Sequence, residues 1–260
     1  MIYYGHDLHF MREFREYELT GDVKKRQESE YWKSIEFSLF HKVAVSYYPS
    51  YVEEEAIHAV DETIPVKAIT AYVYEEFLQN LNKDFAKREG LLFVGGFAHP
   101  PNADAVLWFA KEVFPKIREQ IKVNFYIVGS KVTDEIKALE QPGNGIIVKG
   151  FVSEEELADL YRNCRIVVVP LRYGAGVKGK VVEAIYNGAP IVTTSVGSEG
   201  IPEVEKVLLV KDQPDEFAET VVELYKDEKR LEDLAEKTQV YIREHFSIDA
   251  AWDVIKEDFE

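Results

Sequence analysis

The stretch Arg165-Ile-Val-Val-Val-Pro-Leu-Arg-Tyr-Gly-Ala-Gly-Val-Lys-Gly-Lys-Val-Val-Glu-Ala-Ile-Tyr-Asn-Gly-Ala-Pro-Ile-Val-Thr-Thr-Ser-Val-Gly-Ser-Glu-Gly200 constrains the fold more than any other part of the chain. Ile166 to Val169 is an unbroken β-branched run, the pattern of a strand buried on both faces of a parallel sheet. A glycine loop, a short helix over Gly179–Tyr186, a second strand and a second glycine loop follow. Gly174, Gly176 and Gly179 let the backbone approach a ligand closely, and the helix start aims free N–H groups and a positive dipole end at it. Lys178 and Lys180 add full positive charges. Glu183, one turn into the helix, would repel a phosphate but can accept hydrogen bonds from sugar hydroxyls. These residue types suit a phosphate joined to a polyol.

From Leu91 onward strands and helices alternate with short connections, which predicts an α/β fold with a doubly wound parallel sheet. Strands are expected at Leu91–Val94, Asn124–Val128, Ile146–Lys149, Ile166–Val169, Ile191–Thr194 and Val207–Val210. Helices are expected near Ala103–Gln120, Asp134–Leu139, Glu154–Tyr161, Gly179–Tyr186, Glu216–Lys226 and Glu228–Glu244, with another after the N-cap candidate Ser247. Gly95-Gly96, Gly129-Ser130 and Gly150 each follow a strand's carboxyl end, the edge where open α/β sheets bind ligands. Any one of these glycines is explained by a tight turn, but several along one edge suggest a site. The first 90 residues differ: strands are expected at Met1–Gly5, Lys42–Ser46 and Val66–Tyr72, and helices at Asp22–His41 and Tyr51–Val60. Three strands make too thin a sheet to stand alone, so this smaller, incomplete α/β portion must pack on the second or be completed by further strands.

Composition narrows the function. With 46% hydrophobic residues in 260, the chain can bury one or two cores. No apolar stretch approaches the roughly 20 residues that cross a bilayer, and the polar start is unlike a signal peptide, so a cytoplasmic location is expected, with at most peripheral membrane contact. The single Cys164 excludes internal disulfides and cysteine zinc sites, and reads as a core thiol. A net charge of −16 argues against nucleic acid as a partner. His6, Asp7 and His9 could be taken for a metal cluster, but on an extended segment Asp7 points away from both histidines, and no metal site is expected. His58 and His99 carry no assignable role. Tyr47, Tyr48, Tyr51, Tyr72, Tyr74, Trp108 and Trp252 are read first as core or contact residues.

Leu91-Leu-Phe-Val-Gly-Gly-Phe-Ala-His-Pro-Pro-Asn102, Gly150-Phe-Val152 and Pro170-Leu-Arg-Tyr-Gly-Ala-Gly-Val-Lys-Gly-Lys-Val-Val-Glu-Ala184 together resemble the carboxyl-terminal domain of family 4 glycosyltransferases. The resemblance runs from Leu91 to Glu260, and Tyr4-Gly-His-Asp-Leu-His9 resembles the last part of that family's acceptor-side domain. It implies a GT-B arrangement: residues 1–88 as a partial acceptor-side region, 89–245 as a Rossmann-like donor domain, and 246–260 as a helix able to cross back. It also implies sugar transfer from a nucleotide-diphosphate sugar with retention of configuration and no metal or other cofactor. Glu183 matches the glutamate that binds ribose, and the family's first motif glutamate falls at Ala175, a departure that bears on sugar recognition. Gly95, Gly96 and Gly129 match the phosphate side of the pocket, and Gly176, Lys178 and Lys180 its basic loop. Gly150 to Val152 match the base-contacting segment, with Phe151 and Val152 as its candidate contacts, and Ser195 to Gly200 match a loop along the donor pocket, with Ser195 and Gly197 as its candidate contacts. His6 matches the active-site histidine. The acceptor, whether glycan, lipid-linked or protein, is not indicated.

Other readings stay open. Gly174-Ala-Gly-Val-Lys-Gly179 satisfies the dinucleotide fingerprint, with Glu199 about 20 residues on, although Leu171-Arg-Tyr173 separates strand from glycine and this is the fourth strand of its sheet. An epimerase on the same scaffold needs carboxylates reaching the sugar, and Ala175 removes one. A different class is a nucleotide-sugar-binding module without independent catalysis, or one that works with a partner chain completing the amino-terminal domain.

Overall fold

The computed structural model describes residues 1–174 and 176–259, so Ala175 lies outside the described residues. At the amino terminus, β1 (Ile2–Tyr4), α1 (His9–Thr20), α2 (Val23–Phe40), β2 (Val45–Tyr48), α3 (Tyr51–His58) and β3 (Val66–Ala68) follow in order. The three strands pair in parallel as β1-β2-β3 over a small core of Leu8, Phe40, Tyr48, Ile57, Ile64 and Val66. Helix α1 was not expected from sequence, because its first turn has no capping side chain of its own. The cap comes from α2: buried Glu36 accepts hydrogen bonds from the His9 N–H at 2.9 Å and the Phe10 N–H at 3.2 Å. Gly21, with φ +70°, closes α1, and Asp22 caps α2 through the Lys24 N–H. The middle strand starts at Val45 rather than Lys42, since the residues after α2 still bond back to its last turn.

After a linker come β4 (Leu91–Val94), α4 (Pro100–Trp108), α5 (Phe114–Gln120), β5 (Phe125–Val128), α6 (Asp134–Lys137), β6 (Ile146–Gly150), α7 (Glu154–Asn163), β7 (Ile166–Val169), α8 (Gly179–Tyr186), β8 (Ile191–Thr193), α9 (Ser195–Ser198), β9 (Leu208–Val210), α10 (Pro214–Lys226), α11 (Glu228–Phe246) and α12 (Ile248–Ile255). The single helix expected over Ala103–Gln120 is broken by a π turn at Phe109–Val113. Pro115, just beyond it, lacks an N–H and its ring crowds the carbonyl four residues back, so the turn widens. The six strands pair in parallel in the order β6-β5-β4-β7-β8-β9. Winding runs outward one way from β4 and the other way from β7, so the crevice between their carboxyl ends is the switch point of the sheet. β7 is buried along its whole length, as its β-branched run requires.

The two cores are separate, but the chain stitches their units together. The Tyr74 N–H donates to the Phe246 carbonyl at 2.8 Å, and Tyr74 stacks on Tyr186 of α8 with centroids 4.3 Å apart. Beyond α12 the chain returns to the first sheet, where Asp258 pairs with Lys67 at 2.6 Å and accepts from the Tyr47 hydroxyl. Trp252 on α12 is 52% exposed, which corrects its reading as a core or contact residue, and Tyr51 is also exposed. Tyr47, Tyr48 and Cys164 are buried as read, and burial pushes the Cys164 thiol up to about 11.

Candidate functional site

A cleft of about 1120 Å3 opens where the carboxyl end of β1 faces the ends of β4 and β7. Its first wall is the segment after β7. Lys178 caps α8 in an extended conformation with no side chain bonding the first N–H groups, which leaves the Gly179 and Lys180 amides available to a ligand. The Lys178 ammonium reaches back to the Gly176 carbonyl. Lys180 is held by the Asn102 side-chain carbonyl and lies 5.3 Å from the centre of the Phe93 ring. Asn102 is buried, and its amide donates to the Gly96 carbonyl at 2.8 Å, so one side chain ties the loop after β4 to the lysine on α8. Burial lowers both lysines. Lys180 falls to about 8, with Lys178 as the second cause, while Glu199 and Glu53 partly oppose the drop at Lys178.

The opposite wall comes from the amino-terminal unit. Exposed His6 follows β1, and Arg12 and Arg15 of α1 line the same cleft. Arg15 crosses to Glu199 at 2.8 Å, and Arg12 pairs with Asp7. His9 does not join His6: its ring bonds Glu36 at 3.0 Å and stacks on Trp32. Among the described residues no group of three or more His, Cys, Asp or Glu is placed to hold a metal ion. Tyr72 sits over the start of α8, where a methyl on Gly179 would lie 2.7 Å from its hydroxyl oxygen.

The structure brings His6, Gly176, Lys178 and Lys180 to this one cleft. Gly95, Gly96, Gly129, Phe151, Val152, Glu183, Ser195 and Gly197 are not among the residues that line it. Gly95 and Gly96 lie behind Asn102, and Gly129 is fixed by packing: with φ +154°, a methyl there would sit 1.9 Å from the Gly95 carbonyl. Phe151 is 81% exposed at the end of edge strand β6, whereas Val152 packs on the core. The Ser195 hydroxyl bonds Asp212 at 2.9 Å, and a methyl on Gly197 would meet Thr193 at 2.1 Å, so packing alone accounts for that glycine. Glu183 faces Tyr161, whose buried hydroxyl donates to it at 3.2 Å, and burial raises the Glu183 carboxyl. Sequence reasoning gave no role to Asn102, His99 or Glu53, and read Tyr72 first as a core or contact residue. The only signals were the Asn102 turn within the quoted motif and the acidic Glu199 that closes the second glycine loop.

Residues 88–227, over half of the chain, match the family described as Glycosyl transferases group 1, and the chain belongs to that family. An uncharacterized 44.6 kDa protein of the cps region of Klebsiella pneumoniae is 29% identical over 184 residues, 67% of this chain and 45% of the relative. The chain thus spans about half the length of that curated relative. Among solved structures, HepE of Anabaena in complex with UDP-glucose superposes with a TM-score of 0.69 at 14% identity, covering 99% of this chain and 71% of that one. A variant of TarM from S. aureus, in complex with fondaparinux, alpha-GlcNAc-glycerol and UDP, gives 0.67 at 15% identity, with 85% and 45% covered. These likenesses establish the GT-B-type α/β fold. Among the described residues no helix is long and apolar enough to cross a membrane.

Proposed function

We propose that the chain transfers a sugar from a UDP-sugar to a hydroxyl of a glycan, lipid-linked or protein acceptor, with retention of configuration and without a metal, in cytoplasmic polysaccharide or glycoconjugate assembly. The observation that carries this reading is the pairing of Lys178 and Lys180 with the uncapped start of α8 at the sheet's switch point. Breaking a sugar–diphosphate bond develops negative charge on the leaving oxygen, and preorganised cations and amides there lower the barrier most. In this reading the two ammonium groups and the α8 amides take the diphosphate, Glu183, one turn further along α8 and beyond the residues lining the cleft, takes the ribose at the far end of the nucleotide, and His6 stands on the acceptor side next to the sugar. The family to which residues 88–227 belong, and the UDP complexes of HepE and TarM, support it.

The test is calorimetric titration of the chain with UDP, GDP, ADP and dTDP, repeated with Glu183→Ala. UDP is expected to bind selectively, and the variant to bind it more weakly by ~1–3 kcal/mol. Turnover should persist in a chelator, and product anomeric configuration should match the donor by NMR. Absence of binding by all four nucleotides sinks the reading.

A second reading, a donor-binding module that needs a partner chain, is favoured by one feature. β1 is the edge of a sheet of three strands, with Ile2 and Tyr4 exposed. Tight UDP binding with negligible turnover would select it.

A further inference from the structure

One carboxylate in the cleft is held in place with half of its bonding capacity unspent among the described residues. Glu199 follows α9 and lines the cleft with its side chain 18% exposed. Its Oε1 accepts from Arg15 Nη1 at 2.8 Å and from the Gly176 N–H at 3.1 Å. No described residue donates to its Oε2. The backbone beside it is equally constrained: Gly200 has φ +76°, and a methyl there would lie 2.8 Å from Ser50 and 2.9 Å from Val177. The side chain is therefore ordered before any ligand arrives, and little entropy remains to be lost on binding.

Its position follows from its partners. Gly176, which Glu199 holds by the N–H, is held through its carbonyl by Lys178. The same glycine thus has an ammonium on one side and a carboxylate on the other. If the ammonium side takes the diphosphate, the sugar ring joined to it falls on the carboxylate side. A bare carboxylate this near a diphosphate would repel it, but Arg15 offsets the charge and leaves one oxygen as an acceptor. Glu53, 1% exposed, lies beneath the same loop with its Oε2 taken by the Ser50 hydroxyl and adds a second acidic group there. Paired sugar hydroxyls donate well to a free carboxylate oxygen, whereas the ionised carboxylate of a sugar acid has no proton to give it and would set acceptor against acceptor.

We propose that Glu199, braced by Arg15 and the Gly176 amide, is the residue that reads the donor sugar: its Oε2 accepts from hydroxyls of a neutral hexose and disfavours a uronic acid. The assignment rests on the nucleotide-sugar reading above and goes beyond it in naming the class of sugar and the residue that selects it.

Titrating the whole chain with UDP, UDP-glucose and UDP-glucuronate tests it, in the wild type and in Glu199→Gln and Glu199→Asp. The wild type is expected to prefer UDP-glucose to UDP-glucuronate. Glu199→Gln should weaken UDP-glucose by about tenfold or more while UDP stays within about twofold, and should narrow the gap to UDP-glucuronate. Glu199→Asp, which keeps the charge on a shorter arm, should retain the preference for the neutral sugar with reduced affinity. An unchanged ratio of UDP-glucose to UDP affinity in Glu199→Gln overturns the assignment. So does an equal loss of both in the two variants, which would make Glu199 a brace for the loop. Failure of the wild type to bind UDP at all is a different result: it removes the nucleotide-sugar reading, and this one with it.

Discussion

Lys180 carries the clearest consequence of burial in the cleft. Desolvation, and then the charge of Lys178, lower it to about 8. The ammonium is the form that binds an anion, so the sign is fixed: below about pH 8 the free protein holds the charge, and above it a diphosphate must draw a proton onto the lysine as it binds. UDP affinity should therefore fall above about pH 8, by up to about tenfold per pH unit. Lys180→Arg, whose guanidinium stays charged, should flatten the profile in calorimetric titrations. Much of this was legible in the sequence, since two lysines beside three glycines at a helix start announce an anion site. The drop to about 8 was not, because its larger cause is burial, and groups that lie against the ammonium, Phe93 and Asn102, arrive from another strand and helix. Glu199 was partly hidden: the family resemblance sets its loop along the donor pocket, but its hold on Arg15 spans 184 residues.

Among the elements, the connection into β4 depends on two buried arginines. Arg88, 2% exposed, donates to the carbonyls of Cys164, Tyr161 and Asn82, and Arg165 donates to that of Tyr225 at 2.8 Å and to that of Phe85. These bonds fasten the linker to the end of α7 and the start of β7, so they set where the amino-terminal unit leaves the sheet. Arg88→Met would leave buried carbonyls without donors and should cost ~3 kcal/mol or more, measured from urea unfolding. A sequence shows such an arginine only as one charge among many. The strands of the large sheet were visible because burial on both faces demands continuous apolar runs, as in β4 and β7. Helix α1 was missed because its cap, Glu36, lies 27 residues from His9.

At the scale of the whole molecule, the cleft proposed for the nucleotide-sugar shares residues with the docking of the two units. Arg15 to Glu199 and Tyr72 over Gly179 join the two units at the cleft, and Ser50 against Gly200 joins them beside it. A nucleotide held there should stabilise both units together. Saturation at about a hundred times the Kd should add ~2.7 kcal/mol to unfolding. Hydrogen exchange should slow at the start of α8 and in α1 alike, and slowing confined to α8 would show that the units respond separately. The sequence by itself determined the winding of the large sheet and the glycine–lysine loop after β7 that is proposed to take the diphosphate, because periodicity and glycine–lysine spacing are local properties. Only the tertiary structure decided which groups face that loop. Ion pairs and buried hydrogen bonds between distant residues form only after the two cores meet, and nothing in local spacing encodes that meeting.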